Sequence, residues 1–398
     1  MNMMTTKYSS PQMTLTPPPS RGFTLIELMV SIVLSLFLTA IAAQSYLASK
    51  VTYTATNQSA KIQENIRFAS YFLNKELRQA GNFGCFQKVQ NMLNLGGTNS
   101  NNRALLDISR PINVWRYRVG GNNFDLSGPD AFNVPNLRRG RWRNDANHIR
   151  PALLNNRAME GSDILLITKL SEPLDVKLAA KGFNDINTQT LRIQQPHTFA
   201  AGQVLLVGNC SRADLFQHRG NNQNVLRNNF ITGQRWQLDW NSDQGHEVRA
   251  LESTLYYIGL GASGLPALFK VDVSQGFFAS LPHQEIVDGI EGMKIALGED
   301  AVNGDNMVDR YVNSDDATSI GSILSVQVGL LAVGDENSND NVANRRVYQL
   351  TQLHQMRSPT KLDPGNVNSP DDTRIRHVTN TTVKLRNRGL TRPTFVVN

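Results

Sequence analysis

Residues 21–47, RGFTLIELMVSIVLSLFLTAIAAQSYL, say most about the architecture of this chain. Residues 23–47 are mostly apolar, and as a helix they would extend about 37 Å, enough to cross a hydrocarbon core of about 30 Å. The small hydroxyls within the run can bond back to their own helix. The carboxylate of Glu27 cannot be satisfied in this way. An ionised group in lipid usually marks a functional site with a partner.

The charges around this segment predict its orientation. Lys7 and Arg21 precede it, so the positive-inside rule places the N-terminus in the cytoplasm and the chain after Lys50 outside it. The chain has 398 residues, of which 40% are hydrophobic and 18% charged, with a net charge of +7. This balance allows a sizeable core, and the length suggests two or three domains.

Glu27 separates this segment from an ordinary secretory signal. Ala40-Ile41-Ala42 is a weak signal-peptidase site, but a typical signal has a shorter apolar run without an acid. A plain signal anchor would not need Glu27 either. Cleavage between Gly22 and Phe23 would create an α-amino group at a similar depth. In an assembly of such helices, Glu27 of one subunit can pair with the amine of its neighbour.

The sequence RGFTLIELMV, residues 21–30, resembles the class III leader of type IV prepilins. The resemblance implies that residues 1–22 are a leader, removed between Gly22 and Phe23 by a prepilin peptidase that also methylates Phe23. It implies that Glu27 is the assembly glutamate. Residues 23–50 are then the transmembrane and assembly half of a pilin helix.

The helix is predicted to continue through an amphipathic half, residues 51–81. Apolar residues recur there at spacings of three and four, which indicates one stripe on a helix. The stripe consists of Ile62, Ile66, Ala69, Leu73, Leu77 and Ala80. Gly81 follows it and is a typical helix C-terminal residue.

Residues 82–398 carry strand patterns and are predicted to form the head domain. Short apolar runs, rich in β-branched residues and bounded by Gly, Asn or Asp, are typical of strands. They lie at 163–170, 203–209, 253–260, 267–273, 292–298, 322–333 and 381–387. We predict an α+β fold with a long N-terminal helix and a large, mainly antiparallel β head. Residues 91–157, rich in Asn, Gly and Arg, are interpreted as a loop-rich insertion.

Cys85 and Cys210 are the two cysteines of the chain. The predicted topology places both outside the cytoplasm, where thiols oxidise. We therefore predict a disulfide between them.

Sequence motifs for enzymatic chemistry are lacking. Residues 259–264 spell G-x-G-x-x-G, but they lie between two predicted strands rather than before a helix, so a hairpin is expected. The seven histidines are scattered, and the sequence contains no nucleophile elbow or P-loop. We predict that the protein is not an enzyme and has no cofactor.

Two patterns leave binding hypotheses open. The loop EDAVNGDNMVDRY carries oxygen ligands of the kind that Ca²⁺ prefers, and a polar turn is the alternative. Its candidate ligands are Asp300, Asn303, Asp305 and Asp309.

The stretch LRRGRWR resembles a nucleic-acid contact, and a solvated charged face is the alternative. Its candidate residues are Arg138, Arg139, Arg141, Trp142 and Arg143. The basic tail at 374–392 is similar, but Val383 and Leu385 alternate with Lys384 and Arg386, as in a half-exposed strand.

Four further motifs narrow the resemblance to the PilW group of minor pilins. They are NIRFASYFLNKELRQAGNFGC at 65–85, LLVGNCSRADLFQ at 205–217, EIVDGIEGMKIALGED at 285–300 and LRNRGL at 385–390. The resemblance implies an inner-membrane protein with a periplasmic head that enters the pilus at or near its tip and helps to initiate assembly. Twitching motility, adhesion or DNA uptake would depend on it.

The same resemblance implies partners: other minor pilins, the major pilin and a PilY-type tip protein. Two alternatives stay open at this point. One is a minor pseudopilin of type II secretion, against which the length of the chain and the LRNRGL motif argue. The other is a tip-exposed binding module whose own surface contacts DNA or a host.

Overall fold

The structure is a computed structural model that describes residues 22–93, 110–117, 142–143, 154, 157–181, 184–228, 234–274, 281–302, 304–335, 344–358, 370–387 and 394–397. The chain divides into two compact units, Met1–Ala55 and Thr56–Asn398. One helix, α1, covers Leu25–Gln79. Its first part lies in the first unit and the rest belongs to the second, which is called the head below.

In the first unit, the described residues form the start of α1, and its apolar side chains are exposed. Phe37 and Leu38, for example, are each 64% exposed. Within the described part of the chain, α1 is the one helix long and apolar enough to cross a membrane. The hydroxyls are satisfied locally as expected, since Ser31 donates to the Leu28 carbonyl and Thr39 to the Ser35 carbonyl.

In the head, α1 buries the predicted apolar stripe. Ile62, Ile66, Leu73 and Leu77 are all buried, which confirms the amphipathic pattern. The helix ends at Gln79, and Gly81 follows with φ of +72°, a left-handed conformation that glycine adopts without strain. The Gly81 N–H donates to the carbonyl of Thr168, so the helix exit is tied to a strand.

Eighteen strands are described besides the helix, together with two short 3-10 segments at Ser242–Gln244 and Ile320–Ser322. The strands are β1 (Lys88–Asn91), β2 (Ile112–Tyr117), β3 (Trp142–Arg143), β4 (Ile164–Leu170), β5 (Thr190–Arg192), β6 (Val204–Gly208), β7 (Arg212–Gln217), β8 (Val225–Arg227), β9 (Glu247–Leu260), β10 (Pro266–Asp272), β11 (Gln284–Asp288), β12 (Ile290–Glu299), β13 (Arg310–Val312), β14 (Ile323–Val333), β15 (Val347–Gln349), β16 (Gln355–Arg357), β17 (Arg376–Lys384) and β18 (Thr394–Val397).

Among the described residues, the strands form two main sheets. The larger has ten strands in the order β18-β1-β7-β6-β9-β4-β2-β3, with β10 beside β9 and β11 beside β10. The smaller has four strands in the order β13-β12-β14-β17. Strands β5 and β8 form a separate ribbon, as do β15 and β16. The pairings are antiparallel except that β1 is parallel to both β7 and β18. The predicted α+β architecture with a mainly antiparallel head is confirmed.

The helix stripe forms one core with both main sheets. Leu165 and Ile167 of β4 belong to the same buried cluster as the stripe, and so do Met293 of β12 and Val326 of β14. The cluster is continuous because alternate residues of each strand face the same side of a sheet. The core of the head therefore depends on α1 as well as on the strands.

The segment at 91–157 contains more structure than a loop-rich insertion. Residues 112–117 form β2, which pairs with β4 in the larger sheet, and β3 at 142–143 pairs with β2. Trp115 and Tyr117 are fully buried. Those described parts of the segment are therefore integral to the head.

The glycine-rich turn at 259–264 behaves as a hairpin. Strand β9 pairs antiparallel with β10, with Leu260 opposite Pro266. Ala262 N donates to Glu285 at 2.9 Å, so the turn is fixed against the adjoining strand. A strand follows it rather than a helix, and this geometry does not offer a helix N-terminus to a pyrophosphate.

Candidate functional site

The start of α1 is closed by a reciprocal capping box between Thr24 and Glu27. The Glu27 N–H donates to Thr24 Oγ1 at 3.3 Å, and the Thr24 N–H donates to Glu27 Oε2 at 3.0 Å. The Thr24 hydroxyl also lies 3.0 Å from Oε2. Two N–H groups that a helix start leaves without intrahelical partners are thereby satisfied.

The capping box gives Glu27 a local role that the sequence analysis did not identify. The signal was present, because T-x-x-E immediately before an apolar run is a capping-box pattern. The carboxylate sits in the first turn of α1, where the helix dipole favours a negative charge. Glu27 is therefore partly compensated within its own chain.

Gly22 and Phe23, which flank the predicted cleavage point, precede α1 in a segment without regular secondary structure. Phe23 is 87% exposed, and a side chain added at Gly22 would meet no atom within 4 Å. Both residues are thus accessible and lie directly beside the Thr24–Glu27 cap.

Two family models match the chain. The prokaryotic N-terminal methylation motif covers residues 18–43, and the type IV pilus-assembly protein W family covers residues 255–387. In these two stretches the chain is similar to a PilW-type pilin with a class III leader. The second of these families is named for the assembly of a pilus. The motif and the apolar helix together support membrane anchoring and association with a pilus. Neither a curated protein nor a solved structure matches the chain.

The two matches fall on separate parts of the chain. The methylation motif includes Phe23, the capping box and the first turns of the apolar helix. The PilW match begins within β9 and extends beyond β17, so it contains the whole four-stranded sheet.

The predicted disulfide between Cys85 and Cys210 is confirmed. The two sulfur atoms are bonded, and the Cα atoms lie 4.8 Å apart. Gln87 N donates to the Cys210 carbonyl at 3.0 Å, and the parallel pairing of β1 with β7 begins at the next residue. Both cysteines are exposed. The bond therefore joins the exit of α1 to the larger sheet at its surface.

The acidic loop at 300–309 is organised by its own backbone. The Asp300 carboxylate accepts hydrogen bonds from the N–H groups of Gly304 and Asn306, and the Asp309 carboxylate accepts them from Ala301 and Val302.

The third candidate calcium ligand, Asp305, accepts a hydrogen bond from the Met307 N–H, and Asn303 lies outside the described residues. Across the described part of the chain, no group of three or more His, Cys, Asp or Glu side chains is suited to a metal ion. The geometry is that of a polar turn, and it does not support the calcium hypothesis.

The structure corrects the proposed DNA contact at Trp142. Its indole is fully buried, Nε1 donates to the Ser162 carbonyl at 2.8 Å, and its ring packs edge-on against Tyr117. It cannot stack on a base without opening the core. Arg138, Arg139 and Arg141 lie outside the described residues, and Arg143 is described only as a backbone position in β3.

Two arginines of the basic tail belong to a buried ion network. The Arg376 side chain is fully buried and lies 2.6 Å from both Glu291 and Asp372, and Arg374 pairs with Asp372 at 2.9 Å. Burial alone would lower the pKa of Arg376, but its contacts with Glu291 and Asp372 outweigh burial and raise the pKa. These two arginines connect the start of β17 to β12 through ion pairs, so their side chains are not available to bind a nucleic acid.

Proposed function

We propose that this pilin is a minor pilin that is processed in the inner membrane and built into the fibre at or near its tip, where it helps to initiate assembly. The observation that carries the proposal is the Thr24–Glu27 pair beside an exposed Phe23 at the start of an apolar helix. Its proposed partners are other minor pilins, the major pilin and a PilY-type tip protein. Pilus-dependent twitching, adhesion or DNA uptake would then require it.

The capping box explains how a carboxylate is tolerated in the apolar segment before assembly. Isolated in lipid, an ionised carboxylate costs a few kcal/mol or more. Two donors from Thr24 reduce that cost. Both of the hydrogen bonds described for this carboxylate end on Oε2, so Oε1 can accept a further donor without breaking the cap.

In our proposal that donor is the α-amino group released between Gly22 and Phe23 by a prepilin peptidase. A charge-assisted hydrogen bond between ammonium and carboxylate is about twice as strong as a neutral one. It gains further strength in an apolar helix bundle, where the effective dielectric is low. Pairing between Glu27 and the amine of a neighbouring subunit would thus fix the axial register of the two helices.

The confirmed disulfide supports the proposed orientation. Disulfides persist in the periplasm and on cell surfaces and are rare in the cytosol. A bond between Cys85 and Cys210 therefore favours a periplasmic head. Lys7 and Arg21 before the span favour a cytoplasmic N-terminus by the positive-inside rule.

Two substitutions at Glu27 separate charge pairing from capping. Glutamine is also found at this position of a capping box and keeps an acceptor for the Thr24 N–H, but it carries no charge. Alanine removes both functions. We expect Glu27→Gln and Glu27→Ala each to insert and lose the leader, and each to enter pili poorly. Immunoblots of membranes and of sheared pili measure this. If Glu27→Gln enters pili as well as the wild type, the capping box alone accounts for Glu27 and the charge-pairing role is wrong.

Processing has its own test. Mass spectrometry of the mature protein should find a methylated Phe23 at the N-terminus, whereas an N-terminus near Ala42 would refute the prepilin assignment. Gly22→Leu should leave the leader attached and the protein in the membrane. Co-purification of the detergent-solubilised protein with the other minor pilins tests the tip complex, and labelled DNA added to the same preparation tests the rival binding function.

A further inference from the structure

A lysine and an aspartate are buried together between the two main sheets. Asp163 directly precedes β4 of the larger sheet, and Lys294 lies in β12 of the smaller one. Both side chains are 0% exposed, and Lys294 Nζ lies 3.0 Å from Asp163 Oδ1. Asp163 N also donates to the Met293 carbonyl at 2.8 Å, which fixes the two backbone segments against each other.

The carboxyl group of Asp163 is held in place by backbone donors. Tyr117 N donates to Oδ1 at 3.1 Å and Ile295 N donates to Oδ2 at 3.0 Å. Each oxygen therefore faces an N–H group in addition to the lysine contact at Oδ1. Rigid donors of this kind stabilise the negative charge that forms on oxygen when a nucleophile attacks an acyl carbon.

The surroundings of Lys294 favour a nucleophilic amine. Burial lowers the pKa of Lys294 to about 8; the Asp163 carboxylate raises it in part, and the positive charge of Arg116 lowers it further. A lysine whose pKa is lowered in this way is neutral, and so nucleophilic, more often than a lysine with an ordinary pKa of about 10.4. Lys294 Nζ also lies 6.0 Å from the centre of the Tyr117 ring, so an aromatic side chain forms part of the enclosure.

A second buried acid is bonded to Tyr117, whose N–H donates to Asp163. The Tyr117 hydroxyl donates to Glu160 Oε2 at 2.8 Å, and Glu160 is only 7% exposed. Arg116, the residue before Tyr117, is paired with Asp315 at 3.1 Å. This concentration of charge in a core is costly to bury for structural purposes alone, since well-packed apolar residues of similar volume are often as stabilising as an ion pair.

We propose that Asp163 and Lys294 condense to form an intramolecular amide bond. The Nζ lone pair attacks Asp163 Cγ, and the C–N bond forms as one C–O bond breaks. The departing oxygen takes its electron pair and the two protons that the lysine ammonium gives up, and it leaves as water. Ammonium and carboxylate thus yield an amide and one water molecule, and no other reactant is required.

Such a bond would be a second covalent tie in the head. It would join β12 of the four-stranded sheet to the residue before β4 of the ten-stranded sheet. The disulfide joins the exit of α1 to β7 instead. The amide would also remain intact under reducing conditions that open the disulfide. The inference does not depend on where in a pilus the protein resides.

Peptide mapping of the detergent-solubilised full-length protein, reduced and digested with trypsin, tests the proposal directly. Trypsin does not cut after a lysine whose amine is part of an amide. We expect residues 158–169 to be recovered joined to residues 271–310 through Lys294, lighter by one water molecule than the two peptides together. Fragmentation should place the link on Asp163.

The matched control is Lys294→Arg, which keeps the positive charge and a tryptic site but cannot form this amide. It should release residues 158–169 and 271–294 as separate peptides. Recovery of the wild-type peptides 158–169 and 271–294 unlinked, with no joined species beyond that seen in Lys294→Arg, would overturn the proposal and leave the pair as a buried salt bridge.

Discussion

Removal of the disulfide should destabilise the head strongly and without a packing penalty. Cys85 and Cys210 are both exposed, so serine at either site buries no hydroxyl and leaves no cavity. The bond spans a sequence separation of 125 residues. By the chain-entropy relation, a loop of that length gives a stabilisation of about 5 kcal/mol. Since domains are typically stable by about 5–15 kcal/mol, the double variant Cys85→Ser/Cys210→Ser should lose a large share of its stability.

Urea unfolding followed by tryptophan fluorescence measures this effect. The four tryptophans, Trp115, Trp142, Trp236 and Trp240, are all buried in the head, so their emission reports its unfolding. Wild-type protein reduced with dithiothreitol is the control and should unfold at the same midpoint as the double variant. A loss below about 1 kcal/mol in both samples would contradict this expectation, because the disulfide would then not lower the entropy of the unfolded chain appreciably.

Three further outcomes are expected in the same unfolding assay. Leu73→Ala in the helix stripe should cost about 2–5 kcal/mol, whereas Tyr71→Ala, at a position 67% exposed, should change stability by less than about 0.5 kcal/mol; equal losses would contradict the assignment of the stripe. Gly329→Ala should lower the free energy of unfolding by at least about 1–3 kcal/mol, because the added Cβ would lie 2.1 Å from the Leu350 carbonyl oxygen. An unchanged stability would show that the segments containing Gly329 and Leu350 separate easily. Burial raises the pKa of Asp214 from 3.8 to about 6. The folded state therefore holds a proton that the unfolded state releases, and wild-type stability should fall by about 3 kcal/mol as pH rises through that interval; Asp214→Asn should lack this slope, and an unchanged slope would refute its origin.

The helix and the long strands were predictable because their residues are sorted by burial. The stripe from Ile62 to Ala80 has a helical period and packs on two sheets. Strand β14 is mostly apolar, and it is buried along its length between β12 and β17. In these elements local pattern and tertiary environment agree. Strand β2, in contrast, was overlooked. Its sequence INVWRY is short and sits among Asn, Gly and Arg residues, so composition over a window hides it.

The polar interior was less predictable than the apolar core. Nothing local to Asp163 or Lys294 indicates that residues so distant in sequence share a buried site, because their contact depends on the packing of two sheets. The prediction of a nucleic-acid contact at Trp142 was wrong for the same reason. The arginines beside this tryptophan do not indicate whether its ring faces the core or the solvent. The disulfide was predictable from the membrane topology because the chain has only two cysteines, Cys85 and Cys210. The Thr24–Glu27 cap was also readable from spacing alone.

The stripe shared between α1 and the two sheets determines how the head can be produced without a membrane. A truncated protein that begins after Gly81 would lack the helix and would open an apolar trough lined by residues such as Leu165, Met293 and Val326. A start near Thr56 keeps the whole stripe and discards the exposed apolar half of α1. The later start should therefore yield aggregates and the earlier one a secretable, monodisperse domain suitable for crystallisation. A truncated head without the apolar half of α1 must therefore begin in the middle of that helix.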